Sequence, residues 1–232
     1  MKLITDSRIF SIPRKLLGSL VVRALDTKNG IIVYYDTPER AEALRLIDNL
    51  SKRTKTLLTK DEKYQIYMAA KRSNKVPGDI AEVGVYKGGS AQIICEVKGE
   101  KNLYLFDTFE GLPEVEGIDQ NYKKGDFSAR YEKVKSLMSS YPNVHIYKGL
   151  FPDSAGPVKE KRFSFVNLDV DLYKSTKDCL DFFYPRMNKG GIILSHDYLL
   201  IPGVRKAFDE FFKDKPEPII ELTRSQCLVV KT

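Results

Sequence analysis

The sequence predicts an α/β protein: a doubly wound, mostly parallel, seven-stranded sheet that closes with a terminal antiparallel hairpin and follows an N-terminal helical extension. Three observations predict it. From Asp79 onward, short apolar runs alternate with helix-length stretches, the pattern of strands joined by crossover helices. The first run, Ile80 to Val85, meets a glycine-rich turn and then a helical stretch from about Ser90. The last two runs, 218–223 and 226–231, are separated only by Arg224 and Ser225, which demands a hairpin. With 232 residues, 42% of them hydrophobic, the chain can bury a substantial core. We expect an N-terminal helical extension or lid over residues 1–76 and a ligand-binding domain over 77–232.

In chain order, Pro13 to Leu25 reads as a basic amphipathic helix. Packing on the domain or on a second subunit suits it better than a membrane surface, because Gly18 and the short length weaken a membrane helix. Asn29-Gly30 signals a turn, and Ile31 to Tyr35 a short extended segment. Thr37-Pro38-Glu39 opens a helix, with Thr37 as cap and Pro38 at the first position, running to about Leu50. Thr59, with Glu62 three residues on, is a capping box that starts a helix over Lys60 to Ser73. Its Tyr64, Tyr67 and Met68 stripe reads as core. Pro77-Gly78 breaks the chain. Strands follow at 79–85, 102–107, 143–147, 163–168 and 191–195, with helices at about 89–98, 127–140, 174–184 and 203–213.

Composition excludes several classes. No run approaches ~20 apolar residues, so no integral membrane segment is expected. Met1 to Asp6 lack the apolar region of a signal peptide, so the expected location is cytoplasmic. Cys95, Cys179 and Cys227 are odd in number and form no C-x-x-C pair, which reads as buried free thiols. The net charge of +7 is spread over scattered basic residues without aromatic interleaving, so no nucleic-acid platform is expected. The expected partners are a small-molecule hydroxyl acceptor and further copies of the chain.

The glycine turn carries the first chemistry. Gly84 allows a sharp turn, and Gly88 and Gly89 let a ligand approach backbone N–H groups at a helix start. Position 86 is Tyr, so the dinucleotide fingerprint G-x-G-x-x-G is absent. Glu82 would repel a diphosphate and welcome an ammonium group. Asp107 ends the next apolar run, 23 residues beyond Gly84, where an acid can accept ribose hydroxyls. A ribose at one end and an amino acid at the other describe S-adenosylmethionine. The plain alternative is a turn that merely closes a strand–helix unit.

The second chemistry lies at two later strand ends, Asp169-Val170-Asp171 and His196-Asp197. If the strand stays extended to Asp171, a period of two puts Asp169 and Asp171 on one side. Adjacent strand ends could then share a divalent cation. The mostly oxygen donors point to Mg²⁺, Ca²⁺ or Mn²⁺, Mg²⁺ first, and the imidazole tilts the set slightly toward Mn²⁺ or another transition metal. The alternative is that Asp171 and Asp197 cap the helices that follow. The other histidine, His145, sits inside a predicted strand as an ordinary core or surface residue.

Four motifs, GDIAEVGVYKGGSA, LFDTFEGLP at 105–113, LDVDLYKST at 168–176, and GGIILSHDY with IPGVRKAFDEFF, resemble those of the macrocin O-methyltransferase family over about residues 58–215. The resemblance implies a class I, Rossmann-like methyltransferase that uses S-adenosylmethionine and a metal to methylate hydroxyls of sugars or other natural products. It implies a cofactor site at Glu82, Gly84, Gly88, Ser90 and Asp107, to which Val83, Tyr86, Gly89 and Thr108 belong by position. It makes Asp169 and Asp197 metal ligands and Asp171 the general base. His196 stands where the family usually has Asp, and we include it among the expected metal ligands. Two rivals stay open. One is a nucleotide-sugar oxidoreductase or epimerase, for which Tyr173 and Lys177 form a Tyr-x-x-x-Lys pair beside the acidic strand ends. The other is a non-catalytic cofactor-binding protein.

Overall fold

The computed structural model describes residues 22–27, 30–35, 37–115 and 117–232. By contacts the chain divides into two compact units, Met1–Asp48 and Asn49–Thr232. In the smaller unit β1 (Val22–Thr27) pairs antiparallel with β2 (Gly30–Tyr35), Val22 facing Tyr35 and Thr27 facing Gly30. The end of the helix expected over Pro13 to Leu25 is therefore strand from Val22 onward; its residues 13–21 lie outside the described residues. The two-residue connection explains the difference. It sets Val22 to Thr27 against a β-branched, aromatic partner, and cross-strand pairing outweighs weak helix periodicity. Helix α1 (Pro38–Arg53) follows and spans the boundary between the units.

The larger unit holds α2 (Lys60–Ser73), β3 (Asp79–Val83), α3 (Gly89–Val97), β4 (Leu103–Asp107), α4 (Tyr131–Met138), β5 (Val144–Lys148), β6 (Phe163–Leu168), α5 (Tyr173–Phe183), β7 (Met187–Ser195), α6 (Pro202–Phe212), β8 (Ile220–Glu221) and β9 (Cys227–Val230). Their sheet order is β5-β4-β3-β6-β7-β9-β8, and β9 alone runs against the others. Helix α2, assigned to the extension from sequence, packs within this unit against α3, β6 and β7. Among the described residues no helix is long and apolar enough to cross a membrane.

The central strands β3, β4 and β6 are apolar on both faces because helices cover both. Their side chains, among them Ile80, Phe106, Phe163 and Phe165, are fully buried. The chain winds outward from β3 through β4 to β5, then returns to the other side of β3 as β6 and β7. Right-handed crossovers therefore put α3 and α4 on one face and α5 on the other. The winding reverses between β3 and β6, and the crevice beyond those strand ends is where such sheets bind ligands.

The terminal hairpin is present, but its connection is five residues, 222–226, not two. The reason is tertiary. Arg224 takes a left-handed φ of 72°, and Ser225 is pulled fully into the protein, where its hydroxyl donates to Glu62 Oε1 at 2.7 Å.

One residue sets the crevice. Gly84 has φ 86°, and a Cβ there would overlap the Asp169 carbonyl oxygen. Gly99 also has a left-handed φ, 61°, but a Cβ there would meet only the Asn74 amide, at an ordinary 3.9 Å. Gly99→Ala should cost about 1–2 kcal/mol, the conformational penalty alone. Gly84→Ala should cost about 1–3 kcal/mol more, because the backbone of 169 must also move. Urea unfolding of both variants checks this; equal costs would mean that the contact at Asp169 is easily relieved.

Candidate active site

Beyond the ends of β3, β4, β6 and β7 lies a cleft of about 450 Å³. Of the expected cofactor residues, Val83, Gly84, Tyr86, Gly89, Ser90, Asp107 and Thr108 line it. Gly89 begins α3 with no room for a side chain, because Thr56 packs where its Cβ would be. The segment Lys55–Thr59 thus lies over the start of α3 and forms one wall. A hydrogen bond from Thr54 Oγ1 to Gln92 Oε1, 2.8 Å, fixes it to α3.

Glu82 and Gly88 stand behind the wall. Gly88 (φ 82°) packs against Leu137 and Met138. Glu82 is fully buried; its Oε1 accepts from Asn167 Nδ2 at 2.8 Å, and its Oε2 has no hydrogen-bond partner. Burial pushes its carboxyl up to about 8, against the pull of the Ser90 and Asn167 donors. Asp107 is held by the turn itself. Oδ2 accepts from the N–H groups of Val85 (2.8 Å) and Tyr86 (2.7 Å), and Oδ1 from Phe109 N–H (2.6 Å). Burial raises its carboxyl and these donors pull it back. Asp107 therefore ties the glycine turn to the end of β4.

The acidic strand ends meet on the opposite side of the cleft. Asp169 N–H donates to Val83 O at 2.9 Å, prolonging the β3–β6 ladder. The chain does not stay extended to Asp171. Strand β6 ends at Leu168, Asp171 takes φ 60°, and Leu172 N–H closes a tight turn on Val170 O at 2.6 Å. That turn, not a strand period, brings Asp171 into the cleft. His196 N–H donates to Leu168 O at 2.9 Å, so both strand ends are in register. Asp169, His196 and Asp197 each present a ligand atom, all within 4.8 Å of one another. His196 Nδ1 is 3.1 Å from Asp169 Oδ1 and 2.8 Å from Asp197 Oδ2, while Nε2 is 3.4 Å from Glu62 Oε1.

These are ion-pair distances without hydrogen-bond geometry, and both ring nitrogens are buried without a hydrogen-bond partner. Burial alone would lower the imidazolium pKa; the three carboxylates outweigh it and hold it far above the usual histidine range. Asp171 shifts the same way, toward its protonated form. Burial first, then the charges of Asp169 and Asp197, push its carboxyl up to about 8. Once a cation displaces the Nδ1 proton, that imidazole nitrogen and the two carboxylates form a donor set that fits a divalent ion.

Capping by the strand-end acids is not what the structure uses. Neither α5 nor α6 has a side-chain cap at its own N-terminus. The Tyr173 N–H at the start of α5 instead donates to Asp119 Oδ2 at 2.8 Å, from the loop after β4. Sequence reasoning missed Asp119 because its partners lie far along the chain. It took Glu62 only as a helix cap, although the acid also reaches His196. It also missed Tyr122, a cleft residue whose hydroxyl pKa is raised by burial and by Asp171 and Asp197. The Tyr-x-x-x-Lys pair points away from this chemistry: Tyr173 donates its hydroxyl to Glu210 at 2.6 Å, and Lys177 is exposed. His145 stacks on Tyr104 at the far strand β5. The three cysteines are free, Cys179 and Cys227 buried and Cys95 partly so.

A profile of the macrocin-O-methyltransferase (TylF) family matches residues 50–225, which include strands β3 to β8 and every residue of the cleft. The chain belongs to the macrocin-O-methyltransferase family. It is 30% identical over 142 residues to the 8-demethyl-8-(2,3-dimethoxy-alpha-L-rhamnosyl)-tetracenomycin-C 4'-O-methyltransferase of Streptomyces olivaceus, covering 54% of each chain. It is 27% identical over 155 residues to the demethyldecarbamoylnovobiocin O-methyltransferase of Streptomyces niveus, covering 60% of this chain and 59% of that one. These matches thus span a little over half of either relative's length. Among solved structures, the O-methyltransferase NovP superposes with a TM-score of 0.69 at 24% identity, covering 76% of this chain and 82% of that chain. The calicheamicin methyltransferase CalS11 gives 0.64 at 18%, covering 89% and 99%. This macrocin-O-methyltransferase family member thus shares the class I methyltransferase fold of those neighbours.

Glu82 supplies a stability test. Its folded-state pKa of about 8 exceeds its ordinary 4.5, so the unfolded chain releases the proton first. The native state then loses stability from this group as pH rises from about 4.5 to 8. Glu82→Gln cannot ionise. The stability of the variant relative to the parent should therefore climb across that window and level off above it. Denaturant unfolding of the ligand-free proteins at a series of pH values measures this; a pH-independent difference would mean that Glu82 is not held protonated.

Proposed function

We propose that this protein is an S-adenosylmethionine-dependent O-methyltransferase that methylates a hydroxyl of a sugar or other small-molecule diol, with a divalent cation and Asp171 as general base. The observation that carries the reading is the position of Asp171, in the wall of the Gly84 cleft and beside the Asp169, His196 and Asp197 donor set. S-adenosylmethionine would supply the methyl group and a sulfonium leaving group. Family membership supports this cofactor, and the cleft residues Gly84 to Ser90 are suited to its amino-acid and ribose ends. A cation, Mg²⁺ or Mn²⁺, held by Asp169, His196 and Asp197 would orient the acceptor and lower its hydroxyl pKa.

The chain's own residues do the rest. Asp171, whose carboxyl burial and the neighbouring charges raise above the ordinary aspartate range, is placed to take the hydroxyl proton. Tyr122 and Phe127 close over the cleft from the loop after β4, Phe127 meeting Tyr86 edge-on at 6.4 Å. Around the mouth, Leu57 and Leu200 are 70% and 71% exposed, and Leu150 is 44% exposed. Apolar side chains this bare at the mouth of the cleft favour an acceptor with an apolar body behind its hydroxyls. The names of the relatives, O-methyltransferases of a rhamnosyl-tetracenomycin and of demethyldecarbamoylnovobiocin, support the same class of acceptor. Homo-oligomeric assembly and a cytoplasmic location complete the proposal, the latter supported by the free thiols.

Mass spectrometry of products from a panel of glycosides and catechols with S-adenosylmethionine tests the activity; no transfer to any hydroxyl of the panel would count against it. Asp171→Asn should lower kcat by about 10²–10⁴-fold, with cofactor and cation affinities nearly unchanged by calorimetry. Asp169→Asn should instead be partly rescued by excess Mg²⁺ or Mn²⁺. If excess cation rescues the Asp171 variant and not the Asp169 variant, the two roles are exchanged.

A further inference from the structure

We propose that Glu62 is a positioning residue for His196: its carboxylate faces Nε2 and, once a cation takes Nδ1, accepts the Nε2–H, so that Nδ1 stays turned toward the cation site between Asp169 and Asp197. The proposal rests on the cation reading above and concerns how this chain accommodates a histidine there.

The ring has one orientation among three carboxylates. Nδ1 faces Asp169 and Asp197 at 3.1 and 2.8 Å, and Nε2 faces Glu62 Oε1 at 3.4 Å. Imidazoles that bind metals through one nitrogen commonly give the other N–H to a carboxylate, which fixes both tautomer and ring plane. Glu62 is itself held still. Its Oε2 accepts from Thr59 N–H at 2.8 Å and from Thr59 Oγ1 at 2.7 Å, the capping box of α2. Its Oε1 accepts from Ser225 Oγ at 2.7 Å. The two oxygens divide the work: Oε2 caps the helix, and Oε1 serves Ser225 and His196. Ser225 Oγ also lies 3.4 Å from Asp197 N–H, so the same hydroxyl links Glu62 to the neighbouring ligand.

Charge explains why the two residues belong together. A carboxylate at position 196 would face Glu62 across an almost dry contact, since Glu62 is 3% exposed, and like charges there would repel. An imidazole can hold Glu62 on one nitrogen and a cation on the other.

The test is Mn²⁺ binding by the full chain, followed by calorimetry and by loss of the free Mn²⁺ EPR signal, in the parent, Glu62→Gln, His196→Asp and the double variant. Gln also completes a capping box, so Glu62→Gln should fold. It should weaken Mn²⁺ by about 10–100-fold, the usual effect of losing such a partner. In the His196→Asp background the same change should cause no weakening. Pulsed EPR of the parent should show a ¹⁴N coupling from a ligating imidazole. Equal weakening in both backgrounds would overturn the proposal, because Glu62 would then act through the fold alone. Unchanged affinity in Glu62→Gln would also overturn it. Mn²⁺ bound without a ¹⁴N coupling would remove His196 as a ligand and sink this proposal while leaving the cation reading intact. No Mn²⁺ binding by the parent would end both.

Discussion

The site depends on a close crossing of backbone between Gly84 and Asp169. Strand β3 must turn away at Gly84 directly against the carbonyl of Asp169, and only a residue without a Cβ permits it. That approach lies at the reversal of winding between β3 and β6, the position where an open α/β sheet leaves a crevice. Asp169 N–H on Val83 O and Gly84 N–H on Phe106 O lock three strand ends together. The glycine turn on one side of the cleft and the acids on the other are thus placed by one contact.

The acids impose the second constraint. Asp169, Asp171 and Asp197, with Glu62 behind them, crowd a region that water reaches poorly, and positive charge must relieve them. In the protein as folded, His196 carries part of that burden. Asp171, lacking such a partner, is pushed upward instead. Neighbouring carboxylates thereby sit in different environments, the division on which the proposed roles of cation ligand and general base rest.

Much of the sheet was legible because β3, β4 and β6 are apolar on both faces and bounded by clear turn signals. The neighbourhood of Asp169, His196 and Asp197 was legible for a related reason: parallel strands that are adjacent end at the same edge. What was hidden depends on partners remote in sequence. The hairpin loop is longer than its sequence suggests because Ser225 docks on Glu62, and a capping-box motif says nothing of the second carboxylate oxygen. The route of Asp171 into the cleft is a left-handed turn that strand periodicity does not encode. Asp107 reads as a ligand acid, yet its oxygens hold three backbone N–H groups of its own loops. Val22 to Leu25 reads as the end of a helix because its partner, Ile32 to Tyr35, leaves no mark on its own periodicity.

The central claim is that the edge formed by β6 and β7 holds a divalent cation facing a cofactor in the Gly84 cleft. The most direct measurement is a crystal structure of the protein grown with S-adenosylhomocysteine and Mn²⁺, with anomalous data collected at the manganese edge. The account predicts one anomalous peak bounded by Asp169, His196 and Asp197, with the cofactor lying along Gly84 to Ser90. A well-occupied cofactor with no anomalous density at that edge would contradict it.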